Sequence, residues 1–204
     1  MKHMFHEVFN DKVHSMIQKM DKIGYPKEAL IILAQKVNKL WIAVQEGEIK
    51  ELGNNFYPFL PIIPTSVFPI EEQCLLLGIS IPENPPFRGS DTSESQEPYF
   101  ITNVNDGSEF FESNISSARL SIEDKKRKSL SDVEALSLFF HSDALVDPFK
   151  NKMSCFASLG TKYFSYPSEE EYIPMFDLQL GKFFLIRDET KTNILCPSKG
   201  TIEV

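Results

Sequence analysis

The sequence contains few of the residues and motifs that identify a known chemistry. Its three cysteines, Cys74, Cys155 and Cys196, are widely separated and form no C-x-x-C pair. An odd number of cysteines without paired spacing argues against a disulfide framework and against a structural zinc site. The patterns G-x-G-x-x-G, G-x-x-x-x-G-K-[ST] and H-E-x-x-H are missing as well. The sequence therefore predicts no metal and no cofactor.

Long apolar runs are also missing. No stretch of the 204 residues has the roughly 20 consecutive apolar positions that a membrane-spanning helix needs. The first residues, "MKHMFHEVFND", place charged and polar side chains where a signal peptide has an unbroken apolar segment. With so few cysteines, this predicts a cytoplasmic protein that does not associate with a membrane.

Basic residues are scarce in one part of the chain. The formal net charge is -8, and residues 51–112 carry ten Asp and Glu against a single basic residue, Arg88. Because an acidic segment repels phosphate backbones, nucleic acid is not a predicted partner. The contrary signal is "KKRK" at 125–128, for which we favour a solvated basic run near a helix end.

The first fifty residues predict a helical hairpin. Apolar side chains recur every three or four positions between Phe5 and Met20, and again between Leu30 and Val44. Gly24 suits a helix end and Pro26 suits a helix start, so the segment between the two helices is short.

A proline-containing apolar segment, "FYPFLPIIPTSVFPIEEQ" at 56–73, follows the hairpin. Since proline has no backbone N–H, we expect a short edge strand at 59–63 and a new helix after Pro69. A Pro-x-x-Pro docking strip is the alternative, but the flanking side chains are large and apolar, which favours a core segment.

The rest of the chain predicts strands interrupted by short helices. Residues 82–97 lose all apolar periodicity, so we expect a flexible surface loop that is dispensable for folding. A strand follows at 99–104, then a short helix capped by Ser116. Ser131 and Glu134 form a capping-box pattern ahead of a helix that ends near His141, and four strands follow. The fold class is therefore α+β, a single domain of residues 1–204 with an N-terminal helical pair (1–50), then a mixed, mostly antiparallel sheet with flanking helices.

Several of these segments together resemble a bacterial family described as a domain of unknown function. They are "GYP", "PFLPIIPTSVFPIEEQ", "PYFITNVNDGSEFF", "LSDVEALSLFFHSDAL" and "MSCFASLGTKY". The segment "GKFFLIRDETKTNILCPSKG" departs from the family, whose members end in a region rich in tryptophan and glycine. The resemblance implies a bacterial protein and transfers no catalytic residue.

Two sets of residues are candidates for chemistry. Cys155, His141 and Asp143 are the parts of a nucleophilic site, in which a thiolate attacks and an imidazole holds its proton. A buried, inert strand cysteine is the favoured interpretation, because such cysteines are common. Glu7, Asp11 and His14 share one face of the first helix and could ligate a metal, but this is the polar face of an amphipathic helix, where a solvated surface is favoured.

The candidate binding residues are Tyr163, Phe87 and Arg88, which stand in a strand of aromatics and in the polar loop. Taken together, these observations favour a non-enzymatic module that binds a protein partner or assembles as a homo-oligomer. The alternative is a small hydrolase that uses the Cys155, His141 and Asp143 set.

Overall fold

The computed structural model describes residues 2–49, 56–81, 87–90, 95–141, 155–165, 168, 170–177, 180–187 and 190–204. Its helices are α1 (Lys2–Ile23), α2 (Lys27–Gln45), α3 (Ile70–Leu76), α4 (Ile115–Asp124) and α5 (Asp132–His141), with a 3-10 turn at Ser108–Phe110. Its strands are β1 (Phe56–Ile62), β2 (Phe87–Ser90), β3 (Tyr99–Asn105), β4 (Lys128–Ser129), β5 (Cys155–Ala157), β6 (Tyr163–Ser165), β7 (Glu171–Asp177), β8 (Lys182–Ile186) and β9 (Ser198–Lys199).

The N-terminal helical pair forms as the sequence predicts. Gly24 directly follows the last residue of α1, and its φ of +104° is a positive value that glycine adopts more readily than other residues. Pro26 stands directly before the first residue of α2, where its fixed φ suits the start of a helix. The apolar stripes of the two helices are buried and include Val13 and Leu33, each fully inaccessible to solvent. The α+β class and the helical pair are thus confirmed.

The proline-containing segment is the edge of a four-stranded sheet with the order β1-β3-β9-β4. Strand β1 pairs antiparallel with β3, from Phe56 opposite Asn105 to Ile62 opposite Tyr99. Strand β1 therefore has one neighbour, which is the arrangement that its proline residues permit. Ile62 is completely buried, so the predicted edge strand and the predicted core segment are both confirmed.

The later strands form a second antiparallel sheet, in the order β2-β6-β7-β5 with β8 also paired to β7. A tight hairpin joins β7 to β8, and Gly181 takes up a φ of +58° in its turn. The sequence predicts one sheet, whereas the described residues form two. The difference arises because β9 pairs with β3 and β4 pairs with β9, and pairings between strands of two residues leave no periodic signal in the sequence.

Three local features differ from expectation. Within 82–97, residues 87–90 form strand β2, which pairs antiparallel with β6, while 82–86 and 91–94 lie outside the described residues. Helix α4 is capped by Asn114, whose Oδ1 accepts from the Ser117 amide at 2.8 Å, and not by Ser116. In "KKRK" the three lysines are exposed, but Arg127 is half-buried and donates to the Ser198 hydroxyl at 2.8 Å.

Two apolar clusters lie on either side of the five-stranded sheet. Phe156, Phe176 and Phe183 belong to the larger cluster, which also contains residues of α1, α2, α5, β1 and β3. Ile173 and Met175, on the opposite face of β7, belong to the smaller cluster beside α4. This alternation follows from the two-residue period of a strand. Within the described part of the chain, no helix combines the length and the apolarity that crossing a membrane requires.

Candidate functional site

The predicted nucleophilic set is only partly described. Asp143 lies outside the described residues. His141 ends α5, where its ring lies 4.7 Å from that of Phe140 and near the Lys19 ammonium. Burial, followed by the positive charge of Lys19, lowers the pKa of His141 to about 3. An imidazole with this pKa is neutral and is a weak proton acceptor, so it is poorly suited to activate a thiol near neutral pH.

Cys155 lies in β5, half-buried and packed against the smaller apolar cluster. In the strand register it stands opposite Asp177 of β7. The other two cysteines, Cys74 and Cys196, are buried, and burial raises the pKa of each thiol to about 12. All three cysteines therefore occupy packed positions of the kind that usually make a thiol inert.

Tyr163, Phe87 and Arg88 are brought together by strand pairing. Arg88 stands opposite Phe164, and Ser90 stands opposite Tyr163, in the β2–β6 register. The side chains of 87–90 lie outside the described residues, whereas that of Tyr163 is described. Its hydroxyl points inward and donates to Asp132 Oδ2 at 2.7 Å. Tyr163 therefore takes part in a buried network.

Asp132, the first residue of α5, is the centre of that network and is only 1% exposed. The Val133 amide donates to its Oδ1 at 2.8 Å, and its own amide donates to Thr161 Oγ1 at 2.9 Å. Burial raises the pKa of the Asp132 carboxyl, although the hydrogen bonds from Tyr163 and Val133 act in the opposite direction. Burial and the neighbouring Asp132 charge also raise the pKa of Tyr163.

A second buried carboxylate, Glu134, lies in the first turn of α5, two residues after Asp132. Glu134 accepts from the Ser131 amide at 2.9 Å, while its own amide donates to the Ser131 hydroxyl at 3.4 Å, which confirms the predicted capping box. Its Oε1 also accepts from the Tyr99 hydroxyl at 2.8 Å and from Lys199 Nζ at 2.5 Å. Lys199 donates further to Glu203 at 2.7 Å.

The surroundings of Lys199 favour its charged form. Burial lowers the pKa of Lys199, but Glu134 and Glu203 outweigh that effect, so the pKa is raised overall. Glu134 is 1% exposed and Lys199 is 7% exposed. Because solvent hardly reaches either group, the network cannot admit a ligand without local opening. The ion pair between Lys199 and Glu134 connects β9 to α5, and we interpret its role as structural.

The candidate metal ligands on α1 are only partly described. His14 donates from Nδ1 to the Asn10 carbonyl at 2.8 Å, whereas the side chain of Glu7 lies outside the described residues. Among the side chains that the structure does describe, no group of three or more His, Cys, Asp or Glu is placed to hold a metal ion.

The outer face of α2 is an apolar surface that the sequence reasoning missed. Ile31 is 57% exposed and Ile42 is 50% exposed, although the opposite face of the same helix carries the buried Leu33 and Leu40. Gln35 and Asn38, also exposed, lie between the two isoleucines on the same face. We call Ile31, Gln35, Asn38 and Ile42 the α2 strip. It contains no charged residue, in a chain of which 25% is charged.

A shallow groove between α1 and α2 adjoins the α2 strip. Its lining is mainly apolar, with charged side chains at the rim, and consists of Ile17, Gln18, Asp21, Lys27, Leu30, Ile31 and Ala34. Ile31 belongs to both the α2 strip and the groove, so the two form one accessible surface on the helix pair. The signal was present in the sequence as Ile31 and Ile42, which fall outside the buried stripe of α2.

Comparison of the chain with protein-family models, with curated proteins and with solved structures returns no match. Of the two arrangements above, Asp132, Glu134 and Lys199 of the network are buried, whereas Ile31 and Ile42 of the α2 strip are exposed.

Proposed function

We propose that the protein is a non-enzymatic binding module that docks a protein chain on the α2 strip and the adjoining groove. The observation that carries this proposal is the exposure of Ile31 and Ile42 on an uncharged helix face. Exposing such side chains to water is unfavourable, and burying them against a partner recovers roughly 25 cal/mol per Å². Exposed apolar strips with a polar rim are typical of protein-binding surfaces.

The polar groups of the protein support a binding role over a hydrolase. The neutral His141 is a weak base, and the buried Asp132 and Glu134 are engaged by donors inside the fold. A catalytic set needs its nucleophile and base within hydrogen-bond reach of each other and of a substrate. Asp132 and Glu134 are each 1% exposed and so offer no access of that kind.

The proposal includes a bacterial source and a cytoplasmic location. The resemblance to a bacterial family supports the source, and three widely spaced cysteines without a paired motif support a reducing compartment. The formal net charge of -8 supports a protein partner over a nucleic acid.

A photocrosslinking experiment tests the proposal. A benzophenone amino acid placed at Ile31 of the full chain, in bacterial cells, should give covalent adducts with a protein on irradiation. The matched control carries the same group at Leu120, which is 64% exposed on α4. Adducts at position 31 that do not exceed those at position 120 would contradict the proposal.

Thiol labelling tests the hydrolase alternative. A catalytic Cys155 should react with iodoacetamide near pH 7 much faster than a free thiol, since catalytic thiols are ionised. We expect Cys155 to react no faster than a free thiol, and Cys74 and Cys196 to react only on unfolding because burial keeps them protonated. A fast reaction confined to Cys155 would support the hydrolase alternative over the binding module.

A further inference from the structure

We propose that the buried pair of Lys199 and Glu134 condenses to an intramolecular amide, which joins β9 covalently to α5. This inference is independent of the α2 strip, because it concerns residues inside the fold. It is carried by the contacts around the pair, where an amine, a carboxyl group, a second carboxylate and a hydroxyl donor meet away from solvent.

The two reacting groups are already in contact. Lys199 Nζ lies 2.5 Å from Glu134 Oε1. This places the nitrogen roughly 3–3.5 Å from the carboxyl carbon, the separation of a near-attack geometry. The last torsion of a glutamate side chain is broad, so a rotation of the carboxyl group presents the face of its carbon to the nitrogen. Groups held in this way react with effective concentrations of about 10⁵–10⁸ M, which favours an amide that the free side chains would not form.

Glu203 and Tyr99 supply the acid–base groups. Glu203 Oε1 lies 2.7 Å from Lys199 Nζ and can accept a proton from it, which frees the lone pair of the nitrogen. The Tyr99 hydroxyl donates to Glu134 Oε1 at 2.8 Å, and the Ser131 amide donates to Oε2 at 2.9 Å. These two donors stabilise the negative charge that develops on the carboxyl oxygens when the nitrogen attacks.

The reaction balances within the protein. The bond between Lys199 Nζ and Glu134 Cδ forms, and the bond between Cδ and Oε1 breaks. Two of the three protons of the ammonium group leave with Oε1 as one molecule of water, and the third stays on the amide nitrogen. Glu203 holds one of the departing protons during the attack and is unchanged at the end. The reaction requires no oxidant and no second substrate.

Burial provides a driving force. Glu134 is 1% exposed and Lys199 is 7% exposed, so their charges are held at a cost in desolvation that the neutral amide avoids. Water can leave on the side of Glu203, whose side chain is 34% exposed. The two glutamates raise the pKa of Lys199 and keep the ion pair as the resting form. The reaction therefore passes through a minor neutral amine and is slow.

The pair of Lys162 and Glu171 is an internal comparison. Lys162 Nζ lies 2.9 Å from Glu171 Oε2, but the two side chains are 40% and 34% exposed. The further group at this carboxylate is Arg119, a cation that cannot accept a proton from Lys162. We therefore expect no amide at this pair.

Intact-mass spectrometry of the purified full chain tests the proposal. The wild type, kept folded at neutral pH, should be lighter than its sequence mass by one water, and Lys199→Arg should keep its full mass. Lys162→Arg is the matched control and should show the same mass deficit as the wild type. Circular dichroism checks that both variants fold. A wild type that stays at its full sequence mass would overturn the proposal.

Tryptic mapping locates the bond. Peptide 129–150, which contains Glu134, should be joined to peptide 192–204, in which Lys199 remains uncut. Peptide 129–150 has no cysteine, so a disulfide cannot account for the joined species. A water deficit that maps instead to Asp106 and Gly107, where a cyclic imide also loses water, would overturn the proposal.

Two further variants test the chemistry. Glu134→Gln should join the same two peptides with loss of ammonia in place of water, because the side-chain nitrogen is then the leaving group. Glu203→Gln removes the proton acceptor and should slow the appearance of the joined species by about 10²-fold or more, measured at matched times after induction of expression. An unchanged rate in Glu203→Gln would overturn the acid–base assignment.

Discussion

At the scale of single residues, Gly107 allows a turn to pack closely against a segment that is distant in sequence, residues 196–197. Its φ of +82° lies in the left-handed region, and a Cβ built there would lie 2.4 Å from the carbonyl carbon of Cys196 and 2.6 Å from the nitrogen of Pro197. The absence of a side chain therefore lets the turn after β3 contact the backbone that precedes β9. The local sequence around Gly107 gives no indication of this close approach.

Gly107→Ala should therefore destabilise the protein far more than Gly47→Ala. Gly47 has a similar φ of +76°, but an added Cβ meets nothing within 4 Å, so its cost is the left-handed backbone alone, roughly 1–2 kcal/mol. Gly107→Ala adds a collision with backbone atoms that cannot rotate away. Urea unfolding of the two variants measures the difference. Equal losses of unfolding free energy would show that the 196–197 segment shifts at little cost.

Asp132 makes a prediction about pH. In the folded protein the pKa of Asp132 is raised above its ordinary value of 3.8. As pH rises, the carboxyl therefore loses its proton in the unfolded chain at a lower pH than in the folded protein. The contribution of Asp132 to stability is therefore complete at low pH and is lost as pH rises from about 3.8 through the folded pKa. Asp132→Asn removes this titration. The unfolding free energy of the variant, minus that of the wild type, should increase with pH across this window.

The control for this measurement is Asp124→Asn, at an exposed carboxylate of α4. This variant makes the same substitution at a side chain that solvent reaches, so a change with pH that appears only in Asp132→Asn is due to the buried site. A constant offset of Asp132→Asn from the wild type reflects the exchange of one hydrogen-bonding group for another. Parallel curves for Asp132→Asn and the wild type would contradict the raised pKa of the buried carboxyl.

At the scale of elements, local patterns were predictive and distant pairings were not. The Ser131 and Glu134 capping box and the Gly24 helix end depend on groups within a few residues, and both form as predicted. Strands β2, β4 and β9 contain two to four residues, too few to show a period. Their positions depend on partners far along the chain, as when Ser198 pairs with Asn105.

The candidate site was predicted even less well, for the same reason. Tyr163 was identified as a binding residue, but its hydrogen-bond partner Asp132 lies 31 positions away. Glu134 and Lys199, which form the buried ion pair, are 65 positions apart. A single sequence shows residue types and their local spacing, and it contains no record of contacts over such separations.

Strand β1 makes the prediction at this scale. Ile62 has no solvent exposure and ends the edge strand, so Ile62→Asp would bury a carboxylate for which the apolar site has no donor. We expect a loss of several kcal/mol, comparable to the whole stability of a domain, and accumulation of the variant in the insoluble fraction. Leu75→Asp, at a leucine that is 76% exposed, should express and unfold like the wild type. A well-expressed Ile62→Asp protein with an unchanged thermal transition would contradict the burial of β1.

At the scale of the whole molecule, the helical pair and the two sheets are joined by continuous packing. The ring of Phe9 in α1 lies 5.1 Å from that of Trp41 in α2 and 5.2 Å from that of Phe59 in β1. Phe59 in turn lies 6.4 Å from Phe100 in β3. The larger cluster extends from these rings to Phe176 of β7. The side chains on the opposite face of β7 belong to the smaller cluster. This continuity predicts one cooperative unit.

Trp41 allows the prediction to be measured, because it is the single tryptophan of the chain and it lies in the helical pair. Its fluorescence reports on α1 and α2, whereas the far-ultraviolet circular dichroism reports on the whole backbone. If the molecule unfolds in one step, the two signals should give coincident urea transitions. Two transitions with different midpoints would instead mean that the helical pair unfolds as a separate unit.

Two core variants, one at each end of the molecule, make this test sharper. Leu33→Ala opens a cavity inside the helical pair, and Met175→Ala opens one in the smaller cluster beyond the five-stranded sheet. Each should lower the unfolding free energy by roughly 2–5 kcal/mol. In a single cooperative unit each variant shifts the Trp41 and dichroism curves by the same amount, because every probe reports the same equilibrium. If Met175→Ala shifted the dichroism curve and left the Trp41 curve in place, the packing through Phe9 and Phe59 would be too weak to couple the two ends.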